Sequence, residues 1–317
     1  MKTKRLFLQA LAASLLAAPL VSPAQVAVHV SYIPILDVTP LFVGIEKGFF
    51  KQQGLDVTAQ PSSGGATGVP GLIGGAYEVI YGNVVSTYLA QSQGFKLKII
   101  AAGTKLTPEA PMSTGIVARK GEGLQGGKDL EGKTVGVNTR NGVIWLFARS
   151  WIAKTGGDPG KVRFREVPFP QMTDALRTRQ VDAAFNVDPF FSAAAANPEF
   201  AVIGQPYPEV QPGVEVGQWI MTEEFYRKNP EVVRKYTTAF RQAVAWHNAH
   251  LDTPELRKIV AGFTRMKPEL VEKIQLPPLP ERIDPAAQQA TADLMLESGM
   301  LKSRLDVKAV ISAEAVQ

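Results

Sequence analysis

Two stretches of this chain, 104 residues apart, can be laid over one another: Gly71-Leu72-Ile73-Gly74-Gly75-Ala76-Tyr77-Glu78-Val79-Ile80-Tyr81-Gly82-Asn83 and Ala175-Leu176-Arg177-Thr178-Arg179-Gln180-Val181-Asp182-Ala183-Ala184-Phe185-Asn186-Val187. Each reads as a helix end, a turn, an acidic residue, and an apolar strand that delivers a polar residue at its carboxyl end. The spacing is too long for a solenoid repeat, so it predicts two similar lobes within one chain of 317 residues.

The flanking sequence supplies the rest of each lobe. In the first, Val26 to Ser31 alternates and is β-branched, Leu41 to Phe50 has apolar residues at helical spacing, and Leu55 to Ala59 reads as a strand. A loop at Pro61 to Gly65 then opens a helix to about Ile73, and Val79 to Tyr81 is a strand. In the second, strands are expected at Thr134 to Val137, Val162 to Val167 and Val181 to Phe185, with helices at Val143 to Lys154 and Gln171 to Arg179. This alternation is that of an α/β fold with largely parallel sheets. Past Val214 the pattern is mostly helical, with starts at Asn229-Pro230-Glu231, Thr253-Pro254-Glu255, Lys267-Pro268-Glu269 and Asp284-Pro285 and a last helix ending near Gly299. His247 and His250 are expected at the surface or end of the first of these helices. Lys161, Arg163 and Arg165 alternate as one solvated basic face.

Met1 to Ala24 sets the compartment. A basic start (Lys2, Lys4, Arg5), an apolar middle from Leu6 to Leu20 and small residues at Ser22 and Ala24 form a secretory signal peptide, with cleavage expected before Gln25. Its apolar stretch is short for a spanning helix. Without it, 31 basic residues face 29 acidic ones, so the formal charge falls from +5 to +2 and a nucleic-acid function loses its electrostatic support. The chain has no cysteine, which excludes disulfides, thiolate metal sites, cysteine nucleophiles and a lipid anchor on cysteine. Three histidines, His29, His247 and His250, are little material for a zinc site or a catalytic triad. No metal and no cofactor is expected, and the mature chain should be an exported, soluble monomer.

The run Thr39-Pro40-Leu41-Phe42-Val43-Gly44-Ile45-Glu46-Lys47-Gly48-Phe49-Phe50-Lys51-Gln52-Gln53-Gly54-Leu55-Asp56-Val57 resembles the opening of the substrate-binding proteins of ABC importers, in the group that takes up sulfonates, taurine, nitrate and thiamine-type pyrimidines. Ser63-Gly64-Gly65, Tyr81-Gly82-Asn83, Leu130 to Val137, and Val181 to Phe185 followed by Asp188-Pro189-Phe190 extend the resemblance over most of the mature chain. Arg179 stands where that family often has glycine, Glu78 where aspartate is usual, and Asp188 in place of the more common glutamate. The resemblance implies the two-lobed periplasmic-binding-protein fold of type II, joined by two crossing strands near Ile116 to Arg119 and Val216 to Thr222. Residues 25–117 would form the first part of lobe 1, 118–217 lobe 2, and 218–317 the return to lobe 1 with C-terminal helices. It also implies a ligand held in the interlobe cleft, and an ABC permease with its ATPase as partners.

In open α/β sheets, ligands sit beyond the carboxyl ends of the strands, where helix N-termini offer unpaired N–H groups. Ser62, Ser63, Gly64 and Gly65 in one lobe and Thr139, Arg140 and Asn141 in the other are such positions, and they suit an anion. Arg140 is either the anion's partner or a solvated loop charge. Asn83, Asn186 and Asp188 stand at strand ends, where they either serve the adjoining turn or helix cap or face the cleft. Phe190 and Trp219 are core or an aromatic wall, and Tyr32 and Asp37 lie in the first loop. A small organic anion, a sulfonate or an aromatic carboxylate, is the expected ligand. Asp37 would compete with it unless Arg140 offsets the charge or a ligand donor uses the carboxylate, and a neutral pyrimidine would use Asp37, Asn83 and Asn186. A sensory binding protein is a third reading. A same-fold enzyme is the fourth, opposed by the missing cysteine, the scarce histidine and the export signal.

Overall fold

A computed structural model of the chain describes residues 25–107 and 112–316; the expected signal peptide lies outside them. Among the described residues are ten strands, most of them separated by helices: β1 (Val26–Tyr32), β2 (Leu55–Pro61), β3 (Val79–Asn83), β4 (Leu97–Lys105), β5 (Thr114–Arg119), β6 (Thr134–Val137), β7 (Arg163–Glu166), β8 (Ala183–Val187), β9 (Phe200–Gly204) and β10 (Glu215–Thr222). They form two five-stranded sheets with one plan, β2-β1-β3-β10-β4 and β7-β6-β8-β5-β9. In each sheet the first three strands are parallel, and the fourth, β10 or β5, lies antiparallel between its neighbours.

The overlaid segments occupy equivalent places. β3 and β8 are the middle strands of the two sheets, and every residue in both is buried. The shared acidic residue has a local reason. Glu78 accepts the His29 backbone N–H at 2.6 Å and Asp182 accepts that of Thr134 at 2.7 Å, so each carboxylate satisfies a backbone donor of the neighbouring strand. Arg179 takes the left-handed position (φ +58°) that Gly75 fills (φ +76°) in the other lobe. Its guanidinium pairs with Glu122 at 2.8 Å, which offsets part of the roughly 1–2 kcal/mol that a side chain there costs.

The chain leaves the first sheet after Lys105 and returns after Gly204, through a short helix at Pro206–Val210. The segments expected as crossings, Ile116 to Arg119 and Val216 to Thr222, are therefore sheet strands that come after each passage. The two passages meet, with Leu106 N–H donating to the Val214 carbonyl at 2.9 Å and Lys105 in register with Glu215.

The expected single helix from Leu41 to Phe50 is two, Thr39–Glu46 and Phe49–Gln52, because Gly48 turns left-handed between them (φ +72°). Val143–Lys154 falls where the periodicity puts it. The helix Pro230–Ala249 packs against Thr39–Glu46, and its Tyr236 stacks on Phe50 with ring centroids 5.1 Å apart. His247 on this helix is not at the surface. It is 1% exposed, with Nε2 3.0 Å from the Pro277 carbonyl. Among the described residues, no helix is long and apolar enough to cross a membrane.

Candidate functional site

A cavity of about 500 Å³ opens between the two sheets. It lies beyond the carboxyl ends of the parallel strands, where their side chains and the adjoining loops converge: Ile33 to Asp37 after β1, Tyr81 to Asn83 on β3, Asn138 after β6, and Val187 and Asp188 at the end of β8. Thr104 to Thr107 and Val216-Gly217 form the floor along the passages, and Val143, Ile144, Phe169 and Tyr207 close the second-lobe side. The last wall is Pro277-Pro278-Leu279-Pro280. Asn248 fixes that wall by pairing with both backbone groups of Leu279, at 2.8 and 2.9 Å, while His247 lies against the Pro277 carbonyl.

Against these apolar surfaces stand a few polar groups. The Tyr81 hydroxyl donates to Asp37 Oδ2 at 2.6 Å. Burial pushes the Asp37 carboxyl above its ordinary range, and burial with the nearby Asp37 charge holds the Tyr81 hydroxyl well up. Asp188, 5% exposed, accepts the Ser192 N–H at 2.8 Å on Oδ1, and burial pushes its carboxyl up to about 7. The Leu36 N–H donates to the Asp188 carbonyl at 3.2 Å, so the loops carrying the two carboxylates are tied together across the cleft. Tyr207 is 1% exposed, and among the described residues its hydroxyl has no partner. Among the described lining residues Lys105 is the basic one, and it is paired with Asp284 at 2.9 Å.

Of the positions singled out from sequence, Asp37, Asn83 and Asp188 line this cavity. Asn83 also caps the helix Val84–Ser92, accepting the Ser86 N–H at 2.9 Å. The glycine-rich turn lies elsewhere, because the chain itself fills the space before its helix. Gly64 faces Thr139 and Asn138, and a Cβ built on Gly64 would sit 2.7 Å from Thr139 Cγ2 and 2.8 Å from Asn138 Nδ2. Asn138 Nδ2 also donates to the Ser63 carbonyl at 3.1 Å. Gly65 abuts Asn83, and Ser62 N–H bonds the Tyr32 carbonyl at 2.7 Å. Ser63 and Gly64 thus meet Asn138 and Thr139 as an interlobe contact, while Ser62 and Gly65 are held within the first lobe.

Arg140 is exposed and points out of the cavity, its guanidinium donating to the Phe164 carbonyl at 2.5 Å and its backbone N–H to Glu166 Oε1 at 2.5 Å. Asn141 is a left-handed turn residue at φ +55°. Asn186 is fully buried in β8. Trp219 is core, its ring 5.1 Å from Tyr81 and 4.9 Å from Phe240. Phe190 packs half-buried on the core, and Tyr32 sits edge-on to Phe42 at 4.8 Å. Sequence reasoning passed over Thr104, Tyr207 and the Pro277–Pro280 wall. The proline run itself, unusual after a helical stretch, is the one sequence signal of that wall.

Residues 36–253 match the family model described as NMT1/THI5 like. The bicarbonate-binding protein CmpA of Synechococcus elongatus is 24% identical over 270 residues, covering 74% of this chain and 57% of its own. The riboflavin-binding protein RibY of Chloroflexus aurantiacus is 25% identical over 260 residues, covering 72% and 66%. This chain therefore spans little more than half the length of the first of these relatives. Among solved structures, the alkanesulfonate-binding protein SsuA of Xanthomonas axonopodis pv. citri, bound to MOPS, superposes with a TM-score of 0.76 at 20% identity over 92% of this chain and 98% of that one. At that identity the likeness speaks for the fold, which is that of periplasmic binding proteins.

Proposed function

The chain belongs to the NMT1/THI5-like family, and on that premise we propose that it is the exported solute receptor of an ABC import system, closing around a small molecule and presenting it to a permease and its ATPase. It is a binding protein, as its named relatives are, and not an enzyme. The ligand best supported by the cavity has an apolar, partly flat body and N–H or O–H donors, and is not a free anion. One observation carries this: Asp37 and Asp188 line the cavity, while Arg140 points away and Lys105 is paired with Asp284. A sulfonate or carboxylate entering here would meet two acidic groups in a poorly solvated space. Of the groups weighed from sequence for a neutral pyrimidine, Asp37 and Asn83 line the cavity and Asn186 does not.

Protein purified from its native host and then denatured should release this molecule for mass spectrometry. A donor-bearing organic compound supports the reading, and a nitrate, bicarbonate or sulfonate overturns it. Arg140→Ala should leave the affinity for the released compound within about twofold, since this side chain works on Phe164; a tenfold loss would restore the anion site.

Gly64 lies against Asn138 and Thr139 of the other lobe, a contact that a closed cleft would keep. Gly64→Val should therefore weaken ligand binding by about tenfold, the cost of overpacking a tight contact being about 1–3 kcal/mol. Isothermal calorimetry checks this. Equal affinity would mean that the lobes need not meet here when ligand is bound.

A further inference from the structure

Because the two carboxylates reach the cavity from opposite lobes, we propose that the ligand carries a cationic nitrogen group, a protonated amine or an amidine, held between Asp37 and Asp188. This deepens the receptor reading above and rests on it. Asp37 belongs to the loop after β1 and Asp188 to the end of β8, so one bound group in contact with both joins the two lobes. Each carboxylate is engaged by the protein, Asp37 Oδ2 by the Tyr81 hydroxyl and Asp188 Oδ1 by the Ser192 N–H. An ionised carboxylate offers about four lone-pair sites, so each keeps acceptor capacity for a ligand beside these bonds.

A carboxylate pair alone does not make a site; an unpartnered buried donor in the same cavity does point to a ligand. Tyr207, 1% exposed, lines this cavity on the second-lobe side, and its hydroxyl has no hydrogen-bond partner among the described residues. It needs a ligand atom or a bound water to be satisfied. The basic residue on the wall does not serve as counter-ion, because Lys105 is already paired with Asp284 at 2.9 Å. Two carboxylates in one desolvated space repel when ionised, and an ammonium or amidinium supplies several N–H donors that turn the repulsion into a bridge. Such a ligand gains most when the lobes are together, which is the differential affinity that closure requires. The apolar remainder of the ligand packs on Phe169, Ile144 and the prolyl wall.

The test uses matched probes: benzamidine against benzamide, and benzylamine against benzyl alcohol, each at up to about 10 mM with the purified protein. Thermal unfolding and calorimetry are read at about pH 8, where amine and amidine are charged. The cations should raise the unfolding temperature and bind at least about tenfold tighter than their neutral partners. Asp37→Asn and Asp188→Asn, which keep the side-chain shape and an acceptor oxygen, should each remove about tenfold of that preference. Neutral probes binding as well as the cations, a preference that survives both substitutions, or no stabilisation by either cation overturns the proposal. The compound released from native protein separates the two readings: a neutral donor-bearing molecule leaves the receptor reading standing and removes the charge, whereas an inorganic anion removes both.

Discussion

Asp188→Asn is expected to raise the unfolding temperature of the ligand-free protein by several degrees at about pH 8 and to leave it nearly unchanged at about pH 4. The sign comes from burial. The Asp188 carboxyl is pushed from an ordinary value of 3.8 up to about 7, chiefly by loss of water, with the nearby Asp37 charge adding to the effect against the Ser192 hydrogen bonds. A carboxyl raised in the folded state favours folding fully below its unfolded value, and that contribution is lost as the pH rises through about 7. At one unit per 1.36 kcal/mol, the ionised group costs the empty protein up to roughly 4 kcal/mol. Asparagine keeps the acceptor that Oδ1 offers to Ser192 and carries no charge. Glu215, 1% exposed and likewise pushed up to about 7 by burial, keeps part of the pH slope in the variant. Urea unfolding of both proteins at the two pH values measures the difference, and a variant less stable than the parent at pH 8 would rule out a destabilising charge at this position. The same substitution should weaken ligand binding, as expected where a site holds charge that only its ligand can neutralise.

The two-lobed plan was legible in the sequence because it rests on local pattern. Buried strands such as Val79–Asn83 and Ala183–Val187 are short apolar runs bounded by turns, and their periodicity does not depend on distant residues. Glu78 and Asp182 were visible as a shared acidic position, although their use as acceptors for strand N–H groups emerges only once β1 and β6 are paired beside them. The site was legible at strand ends, where Asn83 and Asp188 had to emerge, and much less so in the loops. Gly64 signals close backbone approach, but its neighbours there are Asn138 and Thr139 from the other lobe, about 75 residues along the chain. Arg140 is turned outward by Phe164 and Glu166 on the neighbouring strand, a register that the residues around Arg140 do not encode. His247 continues the buried stripe of its helix after Tyr236, Phe240 and Val244, a spacing its polar ring masked in the sequence, and its Nε2 meets the carbonyl of Pro277. Tyr207 and the prolyl wall reach the cavity from after the second sheet and from near the C-terminus, through long-range packing alone.

Gly217→Ala should damage the site more than its size suggests, lowering stability by about 3 kcal/mol. Gly217 lies in β10, opposite Asn83 on β3 and Thr104 on β4. A Cβ there would overlap the Tyr81 hydroxyl and come 2.5 Å from Tyr81 Cζ. Tyr81 has little room to yield: it is 2% exposed and its ring packs edge-on to Trp219 at 5.1 Å. Moving it separates its hydroxyl from Asp37, leaving a buried donor and a buried carboxylate without each other, at about 1–3 kcal/mol for each group left unsatisfied. Tyr81→Phe isolates the hydrogen bond and should cost about 1–2 kcal/mol, since only the donor is removed. In the double variant the hydrogen bond is lost once instead of twice, so its cost should fall below the sum of the two single changes. Relief stays partial, because the phenyl ring keeps the carbon at Cζ that the new methyl meets. Denaturant titrations of the four proteins give the coupling, and additive effects would mean that the hydroxyl and the alanine methyl never compete for the space above Asp37.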